Sequence, residues 1–331
     1  MLPAIEQSIL SEIRNRYGIF QENISPLGGF DSYVYEFTKN GTPFILKISH
    51  SQRRTESELQ GEIDWLQYVA NHGVSVARAI PSELGNQVEV IGHADSYFTA
   101  VAFEKAPGHL PTKENWDPQL FEKWGRITGK LHSLSKSYQP HQAVWKRKKW
   151  DDEEHLNIQR YIPAEQEIVI KKSNELLSRL KSIPETNENY GIIHGDLHFL
   201  NFHIHDGDLI LFDFDDSAYN YFLYDVAVIL FYAYWRPLQE TDDRRFFIKD
   251  FLTWFLKGYR QENEFPSEWF AYLPDFLKLR HLVQYVVFLQ SVEGKPLTGE
   301  DEETLEHLNR VIEKDWPIID VDFIGMVKEE K

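Results

Sequence analysis

The chain reads His194-Gly195-Asp196-Leu197-His198-Phe199-Leu200-Asn201 after a short apolar run, and Asp213-Phe214-Asp215-Asp216 after a second, Leu209-Ile210-Leu211-Phe212. Charged groups set beside buried strands are costly unless they are paired or engage a cation. The spacing suggests what offsets that cost. Asp196 stands two residues after His194, Asn201 five after Asp196, and Asp213 twelve after Asn201. Phosphoryl transfer asks little covalent chemistry of a protein. It needs a carboxylate beside the attacking hydroxyl and oxygen ligands for the metal ions that neutralise the phosphates, and H-x-D, a later Asn and a further Asp can meet both needs.

A rival chemistry shares part of the pattern. Gly195-Asp196-Leu197-His198, with His203 and His205 nearby, would also suit a two-metal phosphoesterase. That site needs an upstream D-x-H as well, and the N-terminal half contains none. His203 and His205 therefore read as strand-surface residues, and His194 as a structural one.

These residues must be held by elements, and the flanking sequence predicts them. Residues 33–38 and 43–48 are β-rich runs joined by a turn containing Asn40-Gly41, a strong hairpin signal. Residues 86–92 and 97–104 read as further strands, and 55–72 as a helix with Leu59, Ile63 and Leu66 at helical spacing. Lys47 sits inside Phe44-Ile45-Leu46-Lys47-Ile48, where an unpaired ammonium would be costly. Glu62, on the inward stripe of the following helix, is its expected partner and is preferred over Glu58. From about residue 117 the pattern changes to long helices, expected at 117–137, 163–182, 218–236, 243–260, 267–292 and 300–314.

The residues His194–Asn201 and Phe212-Asp213-Phe214-Asp215-Asp216 resemble the aminoglycoside phosphotransferase and choline kinase-like family, a relative of the protein kinase fold. The resemblance implies an α+β, protein kinase-like two-lobed fold: a small antiparallel β-sheet lobe over residues 1–105 and a larger helical lobe over 106–331. It implies ATP between the lobes, Asp196 as catalytic base, and Asn201 and Asp213 as Mg2+ ligands, with Asp215 and Asp216 left unassigned. Lys47, fixed by Glu62, would hold the α- and β-phosphates. The turn Leu27-Gly28-Gly29-Phe30-Asp31-Ser32 resembles the family's phosphate-covering loop, which would set Gly28, Gly29 and Ser32 over the nucleotide. Ala102–Gly108 resembles the hinge, so that backbone groups of Glu104, Lys105 and Ala106 would face adenine. Gly125–Leu134 and Tyr224-Asp225-Val226-Ala227 match helices of the family, with Asp225 expected to accept from catalytic-loop amides. Only eleven residues separate Asp213 from Asp225, too few for the activation segment on which protein kinases dock a polypeptide. The expected reaction is transfer of the γ-phosphoryl group to a hydroxyl of a small acceptor. A protein-directed kinase and a catalytically silent nucleotide binder are the alternatives.

Composition narrows the partners. Lys plus Arg is 35 and Asp plus Glu is 52, so the net charge is −17, which disfavours nucleic acid and anionic lipid and favours a cationic acceptor. With no cysteine, disulfides and thiolate chemistry are excluded. The apolar windows 222–235 and 282–292 are too short or interrupted to span a bilayer, and the N-terminal residues read as a charged amphipathic helix, so a cytoplasmic protein is expected. The basic run Lys146-Arg147-Lys148-Lys149 reads as a solvated loop.

Overall fold

The computed structural model describes residues 5–29, 32–235 and 243–328, so Phe30 and Asp31 of the glycine turn and Arg236 of one expected helix lie outside the described residues. The chain divides into two compact units. One comprises Met1–His109, Tyr138–Arg147 and Phe202–Asp215; the other comprises Leu110–Ser137, Lys148–Asn201 and Asp216–Lys331.

In the first unit six antiparallel strands form a sheet in the order Ile24–Gly28, Tyr33–Lys39, Thr42–His50, Ser96–Glu104, Ala79–Ile80, with Glu89–His93 also paired to Ser96–Glu104. The Asn40-Gly41 turn forms as expected, both residues at positive φ. Alternate side chains of a strand point to opposite faces. Leu46 and Ile48 therefore meet Ile9, Ile13 and Tyr17 of the helix Gln7–Tyr17. Lys47 lies opposite Val101, on the face where Leu59 and Ile63 of the helix Glu56–Asn71 pack. The strand Ile24–Gly28 was not expected, because Pro26 and a glycine pair argue against one. It is an edge strand with a register shift between Pro26 and Gly28, where a missing N–H is tolerated. The hairpin Phe202–His205 with Asp208–Leu211 belongs to this unit. Leu211 N donates to Ser75 O and Ala77 N donates to Leu211 O, each at 2.9 Å, which fixes the exit leading to Asp213.

The second unit is mainly helical. Helices Pro118–Ser135 and Arg244–Tyr259 approach so closely that a Cβ on Gly125 would lie 1.8 Å from Phe255 O, and one on Gly129 2.5 Å from Tyr259 O. The glycines of Gly125–Leu134 thus have a packing reason. Residues 218–221, expected to open a helix, instead pair antiparallel with Tyr190–Ile193. The helix begins at Phe222, whose N–H donates to Asn189 O at 2.8 Å. Ladder bonds satisfy the four preceding backbone groups better than a frayed helical turn would. Residues 267–272 are likewise a 3-10 segment, and the α-helix Leu273–Val292 starts with a proline in its first turn. Among the described residues no helix is long and apolar enough to cross a membrane.

Candidate active site

The first unit gathers one set of charged residues. Lys47 Nζ lies 2.9 Å from Asp213 Oδ1 and 3.5 Å from Asp215 Oδ2. Arg54 binds Asp215 twice, Nε to Oδ1 at 2.9 Å and Nη2 to the backbone carbonyl at 3.0 Å. Arg147 adds Nη2 to the same carbonyl and sends Nη1 to Glu58 O at 2.7 Å. Contrary to the expectation of a solvated loop, Arg147 is buried, because the carbonyls of Glu58 and Asp215 take its N–H groups and the carboxylates of Asp215 and Glu62 lie near enough to act on its charge. Asp215, left unassigned from sequence, is the structural anchor of this cluster. Burial works against its charge, but Lys47, Arg54, Arg53 and Arg147 together hold its carboxyl well below the usual range. Burial also opposes the charge of Lys47, and Asp213, Asp215 and Glu62 outweigh it, so the ammonium persists to high pH. Asp213 differs from Asp215 in being half-exposed and in adopting a left-handed backbone, φ 61°. Asp tolerates that conformation better than most residues.

Glu62 is buried on the same face, yet Lys47 forms its short contacts with Asp213 and Asp215 instead. Glu58 is occupied elsewhere, closing the helix N-terminus through Thr55 N and Oγ1, each at 2.8 Å. One carboxylate oxygen of Glu62 is buried without a partner. Burial pushes its carboxyl up to about 7, against the attraction of Lys47. An unfolded Glu ionises near 4.5, so between that pH and about 7 the folded state holds a proton that the unfolded state has lost. Stability therefore falls as pH rises through this window. Glu62→Gln should raise thermal stability at pH 8, by about 3 kcal/mol at most, and change it little at pH 4.5. Melting curves at the two pH values check this, and an equal shift at both would contradict it.

The remaining nucleotide candidates also lie in the first unit. Gly28 and Gly29 have φ of 110° and 129°, and a Cβ on Gly29 would lie 1.9 Å from the carbonyl of the buried Ser32. Glu104 ends a strand and donates its N–H to Arg78 O at 2.8 Å. Lys105 Nζ reaches Glu36 at 2.8 Å, and Ala106 O accepts from His203 Nδ1 at 3.0 Å.

The second unit builds a different set around Asp196. Gly195 has φ 85°, and a Cβ there would fall 2.2 Å from Asp216 O, so the turn admits only glycine. Asp225, from the first turn of the helix Phe222–Trp235, accepts the N–H groups of His194 at 3.1 Å and Gly195 at 2.8 Å, as expected from sequence. His132 of the Gly125–Leu134 segment meets Asp225 at 3.1 Å. Asp196 Oδ1 accepts from Arg280 Nη2 at 2.8 Å. His198 Nε2 stands 3.2 Å from Oδ2, and Asn201 Nδ2 donates to Asp196 O at 2.8 Å and to Oδ2 at 3.2 Å. Leu200 N donates to His198 Nδ1, which leaves the imidazole proton on Nε2, toward Asp196. Burial opposes ionisation of Asp196, and Arg280, His198 and His194 overcome it, holding the carboxyl below its usual value. Arg280 and Tyr232 were not anticipated. They lie on helices whose sequence shows only apolar periodicity, and nothing local marks either residue.

The donor chemistry suits a hard divalent cation. Asn201 turns its amide nitrogen to Asp196, which leaves Oδ1 to ligate, and Asp213 offers an accessible carboxylate. Among the described residues no group of three or more His, Cys, Asp or Glu is placed to enclose a metal. An ion completed by substrate phosphates needs only one or two protein oxygens.

Residues 23–265 match the phosphotransferase enzyme family. Over 324 residues, 97% of this chain and 96% of the relative, the sequence is 38% identical to amicoumacin kinase of Bacillus subtilis (strain 168). The chain belongs to the phosphotransferase enzyme family. A solved structure of an amicoumacin kinase in complex with AMP-PNP, Ca2+ and Ami superposes on this phosphotransferase with a TM-score of 0.94 at 38% identity, covering 98% of this chain and 97% of that one. A microcompartment-associated aminopropanol kinase, 20% identical, shares the fold with a TM-score of 0.71 over 93% of this chain and 95% of its own. The phosphotransferase therefore has the α+β, protein kinase-like fold expected from its motifs, and it is an ATP-dependent enzyme acting on a hydroxyl group of a small molecule.

Proposed function

We propose that this enzyme phosphorylates amicoumacin or a closely related hydroxylated amine, in the cytoplasm where ATP is made, with Mg2+ as the metal. The reading is supported by identity to amicoumacin kinase along nearly the whole chain. The observation that carries the chemistry is the Asp196 carboxylate, held at both oxygens by Arg280, His198 and Asn201. In this proposal Asp196 receives the acceptor hydroxyl and aims its oxygen at the γ-phosphorus, while Lys47 neutralises the α- and β-phosphate oxygens. Asn201 and Asp213 would hold the divalent cation, which spreads the negative charge of the triphosphate when bound. Glu62 keeps a negative potential behind Lys47, and Gly28, Gly29 and Ser32 offer backbone N–H groups to the phosphates. Glu104, Lys105 and Ala106 contact the base. The net charge of −17 also favours a cationic acceptor.

The test is direct. The enzyme is incubated with Mg·ATP and, separately, amicoumacin, choline, aminopropanol, spectinomycin and a protein mixture, and each product is examined for the mass of one added phosphoryl group. Amicoumacin should be modified with a kcat/KM at least about a hundredfold above the others, a difference of ~2.7 kcal/mol in transition-state binding. Turnover of choline or aminopropanol with none of amicoumacin would overturn the acceptor assignment.

A further inference from the structure

The contacts of Asp196 divide by origin. His198 and Asn201 belong to the same short loop as Asp196 and both act on Oδ2; they travel with the loop and cannot by themselves orient the carboxylate against the rest of its unit. Arg280 reaches Oδ1 from the helix Leu273–Val292, far along the chain. The same nitrogen, Nη2, donates to Tyr232 Oη at 2.7 Å, and the guanidinium sits 5.1 Å from the centroid of that ring. One turn on from Arg280, Gln284 Nε2 also donates to Tyr232 Oη, at 2.8 Å. Both lone pairs of this phenol oxygen are thus engaged, and Nη2 is fixed between Tyr232 and Asp196. Tyr232 in turn packs against His198, the ring centroids 4.2 Å apart and the planes tilted by 45°, which closes the ring of contacts.

This arrangement is not accounted for by stability. Arg280 is only 7% exposed, and its Nε is buried without a hydrogen-bond partner. Apolar side chains of similar volume would often hold two helices together as well as a buried ion pair does.

We propose that Arg280 is a positioning residue for the phosphoryl-transfer step: with Tyr232 and Gln284 as its mount, it fixes the direction in which the Asp196 carboxylate meets the acceptor hydroxyl. The proposal rests on Asp196 being the residue that receives that hydroxyl. A geometric role predicts loss of turnover without loss of nucleotide affinity, because misaiming a reacting group by about 1 Å can cost about a hundredfold in rate.

Arg280→Ala should lower kcat about 10- to 100-fold and leave KM for ATP within about twofold. Guanidinium chloride, added far below denaturing concentrations, should restore at least a tenth of the lost rate, whereas urea, its neutral isostere, should restore none. Rescue by guanidinium alone supports positioning, since a structural defect would not respond to a small cation. Wild-type kcat in Arg280→Ala, or a soluble, folded variant that guanidinium leaves unchanged, overturns the proposal. If Arg280→Ala does not fold, Tyr232→Phe decides: it keeps the ring and removes the oxygen that anchors Nη2. It should lower kcat about 3- to 10-fold at unchanged KM for ATP, and an unchanged kcat there also overturns the proposal. Asp196→Asn is measured alongside. Normal turnover in that variant would remove the underlying reading, whereas normal turnover in Arg280→Ala beside an inactive Asp196→Asn would remove only the role of Arg280.

Discussion

Asp196→Asn is expected to lower turnover by about two to four orders of magnitude while nucleotide affinity stays within a few-fold. The substitution keeps the size of the side chain, and one oxygen can still accept from Arg280 Nη2. It removes the negative charge, and it turns an amide nitrogen toward the donors His198 Nε2 and Asn201 Nδ2, which approach Oδ2 at 3.2 Å each. The acceptor hydroxyl then finds neither a full charge to accept its hydrogen bond nor a fixed direction. Because the substitution leaves Lys47 and its contacts with Asp213 and Asp215 unchanged, nucleotide binding should be spared. Steady-state kinetics with saturating acceptor, together with calorimetric titration of an ATP analogue, separates the two effects. Normal turnover would exclude Asp196 from the reaction; lost nucleotide binding would assign it a different role.

The second large effect is expected at Asp213, and its backbone dictates the choice of variant. At φ 61°, alanine would add strain to the loss of the carboxylate, whereas asparagine is at home in the left-handed region. Asp213→Asn should therefore fold as the parent does while losing a charged oxygen suited to a divalent cation. Affinity for the metal–nucleotide complex should fall at least about tenfold, ~1.4 kcal/mol, and metal-free nucleotide should bind as before or slightly better. The second expectation follows from Lys47: its contact with Asp213, now 2.9 Å, would no longer be a full ion pair, and the ammonium is left freer to meet phosphate. Titrations with and without EDTA provide the comparison. A metal dependence equal to that of the parent would refute the ligand assignment.

Much of the candidate site was legible because it is local. The offsets linking His194, Asp196, Asn201 and Asp213 lie within twenty residues, and the segment His194–Asn201 is short enough that Asn201 meets Asp196 within its own turn. The Asn40-Gly41 turn and the apolar stripe of Glu56–Asn71 were readable for the same reason, since each depends on neighbours in sequence. Residues 218–221 failed the same test: their helical appearance lost to pairing with Tyr190–Ile193, a partner the local pattern does not show. The burial of Arg147 is non-local in the same way. Within its own run it is one cation among four, and only Asp215 and Glu58, distant in the chain, explain its burial.

What the sequence determined alone was the chemistry available: an oxygen-donor set at phosphotransferase spacing, a strand lysine, and too short a segment after Asp213 for a docked polypeptide. Tertiary structure decided how those groups are charged and aimed. Lys47 neighbours Asp213 and Asp215 more closely than Glu62, Asp215 is neutralised by arginines from two separate segments, and Asp196 is gripped by an arginine 84 residues away. The physical reason is range. Hydrogen-bond spacing within a loop is set by bond geometry over a few residues, whereas the field at a buried carboxylate is summed over every charge that folding brings near it, wherever in the chain that charge began.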